Sequence, residues 1–178
     1  MTTIGQTMDA EARPVSKALS IVRRSIDRVI DTPPDLGAAV ARIALAVLIF
    51  PHGAQHALGW FGGYGFTGTH AWMTKTLGFP APLAALAITT ELLAPFALLL
   101  GVGGRLAALG VAGIMLGAIS THAPNGFFMN WFGALAAGQK GFEYHLLVLA
   151  LCAVVTITGS GRLSLDRALA RRRASRRT

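Results

Sequence analysis

Residues Phe50 to Gly65 read FPHGAQHALGWFGGYG. The stretch begins inside a long apolar run and leaves it through two histidines, a glutamine and a glycine-aromatic turn. His52 and His56 are four apart, so on a helix they share a face. Pro51 has no N–H to donate, which leaves the carbonyl of Val47 without its helical partner. An apolar helix that closes on such polar groups reads as the end of a membrane span, since lipid would reject them. The other polar anomalies are placed relative to it: Arg42, Glu91, His122 and the run Glu143-Tyr144-His145.

Composition agrees. Of 178 residues, 53% are hydrophobic and 13% charged, where a water-soluble domain carries about 25% charged residues. The apolar residues come in long blocks rather than alternating patches, which is the membrane pattern. The single cysteine, Cys152, lies inside an apolar run. A lone thiol excludes an internal disulfide framework and any Cys-based zinc or iron–sulfur site.

Outward from the opening stretch, Leu36 to Leu58 forms a first span of ~34 Å at ~1.5 Å per residue, enough for a bilayer core of ~30 Å. Thr32-Pro33-Pro34-Asp35 precedes it, the prolines closing one helix and the aspartate opening the next. Within residues 1–35, Val15, Leu19, Val22, Ile26 and Val29 recur at four-and-three spacing, with Lys17, Arg23, Arg24 and Arg28 around them. That pattern predicts a basic amphipathic helix on the membrane surface; a disordered basic tail is the alternative. No apolar core of signal-peptide form is present there. Residues 59–79 read as a loop rich in glycine and aromatics. Further spans are expected at 80–100, 106–122 and 142–159, with GVGGR (Gly101 to Arg105) as a tight turn, 123–141 as a second loop and 160–178 as a basic tail. Gly110, Gly113, Gly117 and Ser120 fall on one face of the third span, where small residues let helices approach. The expected fold class is all-α: a four-transmembrane-helix bundle, residues 36–159, with an N-terminal amphipathic interfacial helix.

Charge sets the orientation. Thirteen of the sixteen Lys and Arg residues lie in the two tails or at Arg105, and the two long loops hold only Lys75 and Lys140. The positive-inside rule then puts both termini in the cytoplasm and requires an even number of spans. Ten of the fourteen aromatics lie in the two loops so assigned to the outside, as an interfacial belt requires. The net charge of +8 is therefore a topology signal and a source of attraction to anionic lipid. No nucleic-acid-binding motif accompanies it.

Ionisable groups within a membrane point to function by default. Glu91 lies near the middle of its span, and Pro95, four residues on, frees its carbonyl from the helical ladder. Arg42 is about 7 Å to the cytoplasmic side of the midplane and His52 about 7 Å to the outer side, at ~1.5 Å per residue. Two readings of Glu91 are open: a buried Arg42–Glu91 ion pair that sets helix register, or a proton-handling carboxylate with its pKa raised by burial. His52 and His56 have the spacing of a metal or haem pair, with a third ligand available from Glu91, His122, Glu143 or His145. Histidines at a helix end are more often structural groups or quinone-headgroup contacts, so haem and metal rank below quinone as ligands. His122 ends the third span on the same side as Glu143, Tyr144 and His145 start the fourth. The span ends thus converge on a polar pocket under aromatic loops, a form suited to a flat, partly apolar ligand. Helix-end solvation is the plainer account of the same residues. No P-loop, GxGxxG turn or zinc-protease helix is present.

The pieces PHGAQH, GGYG, LGFPAPLAALAITTELLAPFALLLGVGGRLAAL, HAPNGFF, FEY and GSGRLSLD, in this order from Arg42 to Asp166, resemble the DoxX family of small bacterial membrane proteins. His56 stands where members usually carry lysine, and the basic N-terminal segment lies outside the matching region. The resemblance implies four membrane helices in a bacterial plasma membrane and a loose association with redox chemistry, since relatives include a subunit of a thiosulfate:quinone oxidoreductase. The expected role is a redox-associated subunit rather than an independent enzyme. In it His52, Gln55, His56, His122, Glu143, Tyr144 and His145 would line a quinone site, and Glu91 would exchange protons. Its partners would be the lipid bilayer and a membrane redox enzyme, with a homo-oligomer left open. A non-catalytic anchor for partner enzymes and a small transporter are the alternatives; no internal repeat supports the last.

Overall fold

The computed structural model describes residues 17, 20–22, 25, 27, 30–136 and 138–175. Val15, Leu19, Ile26 and Val29, most of the apolar stripe of the expected N-terminal helix, lie outside the described residues. Among the described residues the structure is all-helical, with no strand. Helix α1, Leu36–Gly53, opens on Asp35, whose carboxylate accepts from the Ala38 N–H at 3.0 Å, a standard N-cap. It runs directly into a π-helical turn, Ala54–Leu58, and stops at Gly59 in the left-handed region (φ 76°). Helix α2 is Gly65–Lys75, α3 is Ala81–Leu100, α4 is Gly104–His122, α5 is Glu143–Thr158 and α6 is Leu165–Ser175.

Four helices form the bundle. Helix α1 packs on α3, α3 on α4, α4 on α5 and α5 back on α1. Each neighbour runs antiparallel, as short or surface connections require. The core is lined by Ala41, Leu45 and Ile49 of α1, Ala94 and Leu98 of α3, Ala108, Val111 and Met115 of α4, and Val148, Cys152 and Val155 of α5. These positions recur at three-and-four spacing, so each helix turns one stripe inward. The opposite faces are no less apolar: Val47, Leu86, Leu93, Leu116, Leu147 and Ile157 are all exposed. A helix apolar all round belongs in lipid. Three helical stretches, Leu36–Leu58, Ala81–Leu100 and Gly104–Asn125, are long and apolar enough to cross a membrane. The fourth bundle helix, α5, is 16 residues long, or ~24 Å at ~1.5 Å per residue.

Three expectations need correction. Residues 59–79 are not a loop throughout, because Gly65–Lys75 is helical. It packs on the π-turn and on α3, buries Thr69 and stacks Phe66 on His70 at 5.9 Å. Of the glycines that suggested a loop, Gly63 sits where backbone comes close, since a Cβ there would strike the main chain of Gln55. The basic tail likewise holds a helix, α6, anchored by the buried Asp166. On α4, only Gly110 of the small-residue face meets a tight contact, with Thr90 of α3; Gly113 faces open space.

Candidate functional site

The bundle has a histidine end and an arginine end. At the histidine end, Pro51 lies inside α1 and removes one helical bond. The chain absorbs the break in the π-turn, where an extra residue per turn rotates the residues after it; such turns recur at functional sites. His52 and His56 end with ring centroids 6.5 Å apart. Gly53 lies between them against the main chain of Glu91 and Leu92, so tightly that no Cβ would fit. Pro95, inside α3, is what frees the Glu91 carbonyl at that contact.

This approach brings His56 onto Glu91. Their Nδ1 and Oε2 atoms are 2.6 Å apart, with the glutamate side chain 7% and the histidine 28% exposed. The contact joins an imidazole nitrogen and a carboxylate oxygen at hydrogen-bond distance. From His56 a file of rings crosses the bundle. His52 lies 6.2 Å from Tyr144, Tyr144 lies 5.9 Å from His145, and His145 lies 4.9 Å from His122, centroid to centroid. Helices α1, α5 and α4 thus contribute rings, and α3 contributes the carboxylate. The Nδ1 of His122 is 2.8 Å from the Ala118 carbonyl. A carbonyl only accepts, so this nitrogen is the donor. His145 is 5% exposed, and its Nδ1 has no hydrogen-bond partner among the described residues. An unpaired buried nitrogen costs about 1–3 kcal/mol and is a position that water or a ligand's polar atom would satisfy.

Two residues expected at the site are used elsewhere. The Gln55 amide points to the Phe61 carbonyl at 3.5 Å, and its main chain supports Gly63. The Glu143 carboxylate accepts from the Met129 N–H and the Trp131 indole, both at 3.3 Å, so it braces the loop before α5. Among the described residues, no group of three or more His, Cys, Asp or Glu side chains is arranged to hold a metal ion.

The expected Arg42–Glu91 pair is absent, and the reason lies at the arginine end. Arg42 is 1% exposed, but its guanidinium extends away from Glu91. It donates to the carbonyls of Leu98, Leu99 (2.6 Å), Ser160 (2.9 Å) and Leu163 (3.2 Å). The last carbonyls of a helix have no partner within it, and those of α3 lie two turns beyond Glu91, about 10 Å along the axis. Arg105 acts similarly on α5, donating to the Thr156 carbonyl at 3.1 Å and to the Asp31 carbonyl at 2.6 Å. Asp166 takes the converse part. Its carboxylate accepts from Gly103 N–H (2.9 Å), Gly104 N–H (3.2 Å) and the Ser160 hydroxyl (2.6 Å), capping α4 where the helix dipole favours an anion. Sequence reading missed Ser160 and Asp166 as structural residues; an aspartate among seven arginines was the available signal.

A family model described as DoxX matches residues 37–131, which cover α1 to α4. No curated protein and no solved structure matches the chain significantly.

Proposed function

The chain belongs to the DoxX family, and from that premise we propose that it is a redox-associated membrane subunit whose histidine end receives a quinone headgroup. The observation that carries this reading is the part-buried His56–Glu91 pair, 2.6 Å apart, at the head of a ring file drawn from three helices. A bound quinone supplies electron transfer coupled to proton uptake and release. The protein's part is to hold and move protons beside it. Glu91 and His56 form a hydrogen-bonded acid–base pair that passes a proton to and from the headgroup. His52 and Tyr144 offer flat faces and polar edges for a headgroup, and the orphaned His145 Nδ1 offers one more polar contact. His56 is already committed to Glu91, which favours quinone over haem or a metal at His52 and His56.

In this reading α5 is the fourth span and the arginine end faces the cytoplasm of a bacterial cell. The distribution of Lys and Arg supports that orientation. The partner is then a membrane redox enzyme that delivers or accepts electrons. Phe128, Trp131 and Phe132, 72%, 72% and 97% exposed, offer it a surface and equally support the second reading, an anchor without chemistry.

The test is a reduced-minus-oxidised spectrum of the protein in mild detergent, with quinone extracted from the same sample. Stoichiometric quinone without a haem band is the expected result. Glu91→Gln keeps the shape of the pair but not its acid, so it should retain fold and quinone while losing ~100-fold or more of quinol-linked turnover with its partner. A preparation with neither quinone nor haem would leave the anchor reading in its place.

A further inference from the structure

The arginine end carries a cleft of about 640 Å³ between the last turn of α3 and the first turns of α6. One wall is apolar, made of Leu99, Leu100, Leu163 and Leu165; the other is cationic, made of Arg162, Arg167 and Arg171. Among the described residues, no acidic side chain lines it. Asp166 lies next to it in sequence but turns away, into the cap of α4.

The fold holds this cleft in shape. Asp166 also donates its own N–H to the Gly101 carbonyl at 2.9 Å, so the start of α6 is tied to the α3–α4 turn from two atoms. Arg42 holds the Leu163 carbonyl at 3.2 Å. Leu163 adopts φ 55°, a left-handed conformation unfavourable for leucine, and its side chain is left 89% exposed. A strained backbone that displays a leucine to the outside suggests a functional surface. The Nη1 of Arg167 is buried with no hydrogen-bond partner among the described residues. Desolvation, and after it the charges of Arg171 and Arg162, lowers the pKa of Arg167 from its ordinary value.

The apolar wall continues along the outside of the bundle, since Leu93, Phe96 and Leu100 are exposed and share a face of α3 at three-and-four spacing. The cleft therefore opens where a membrane span meets its headgroup layer, with cations at the water side and leucines at the chain side. We propose that it binds one anionic phospholipid, with the phosphate on Arg162, Arg167 and Arg171 and an acyl chain along the leucines of α3. The proposal is independent of any quinone at the opposite end.

Native mass spectrometry of the full chain in mild detergent tests it, with phosphatidylglycerol or phosphatidylcholine added at equal concentration. The expected result is one retained phosphatidylglycerol per chain and at least ~10-fold weaker retention of phosphatidylcholine, given the strength of arginine–headgroup attraction. Arg167→Gln with Arg171→Gln should weaken phosphatidylglycerol retention ~10-fold or more. Arg172→Gln with Arg173→Gln removes the same charge outside the cleft and should leave it within about 2-fold. Equal retention of the two lipids by the unaltered protein would overturn the proposal whatever the variants do. So would equal losses in the two double variants, which indicate diffuse attraction, or displacement of the lipid by millimolar inorganic phosphate.

Discussion

Arg42 brings a full charge into an apolar bundle, and its acceptors are all main-chain carbonyls. Glu91, on the facing helix, is served by His56 instead. Because the two share no partner, their contributions to stability should add. In a double-mutant cycle of Arg42→Met and Glu91→Leu, read by equilibrium unfolding in mixed micelles, the coupling is expected within about 0.5 kcal/mol. Arg42→Met alone should cost about 3–5 kcal/mol, since it strands several buried carbonyls at once. A coupling of several kcal/mol would restore the direct pair that depth along the two helices had suggested. Depth was a fair guide to which residues lie near one another, but it carried no information on direction. A long side chain follows its unmet acceptors, and those of α3 lie at the helix end.

Helix α1 is shaped by two residues that lack ordinary side-chain or main-chain chemistry. Pro51 ends its regular hydrogen bonding, and Gly53 lets it settle on the main chain of α3. Gly53→Ala should therefore force α1 and α3 apart, lower stability by about 1–3 kcal/mol as overpacking does, and release His56 from Glu91. Gly113→Ala, on α4, meets nothing within contact range and should be neutral or stabilising by up to ~1 kcal/mol from helix propensity. Unfolding midpoints of the two variants in detergent check this; similar losses at both positions would contradict the packing described. The same elements show why sequence reading misassigned 59–79. Gly65–Lys75 is far less apolar than the spans and carries glycine at both Gly65 and Gly68, and it packs on the π-turn and α3.

For the molecule as a whole, orientation and the fourth span can be tested together. Phe132 lies in the loop before α5 and Ala174 near the end of α6, with both exposed. In a Cys152→Ala background, Phe132→Cys should react with a membrane-impermeant maleimide in spheroplasts, and Ala174→Cys only after permeabilisation. Labelling of both from the same side would mean that α5 does not cross, and the reverse pattern would invert the bundle. The all-helical class and the long apolar segments were legible in the sequence. Those properties come from composition and block length, which act locally along the chain. The sequence also singled out His52, His56, Glu91, Tyr144, His145 and His122, because polar groups in lipid-length segments stand out against their neighbours. The tertiary structure alone decided which of these meet: Glu91 with His56, Arg42 with helix-end carbonyls, Asp166 with the start of α4. Each pairing depends on helix rotation and on how closely two backbones approach, and both are set by contacts between segments far apart in the chain.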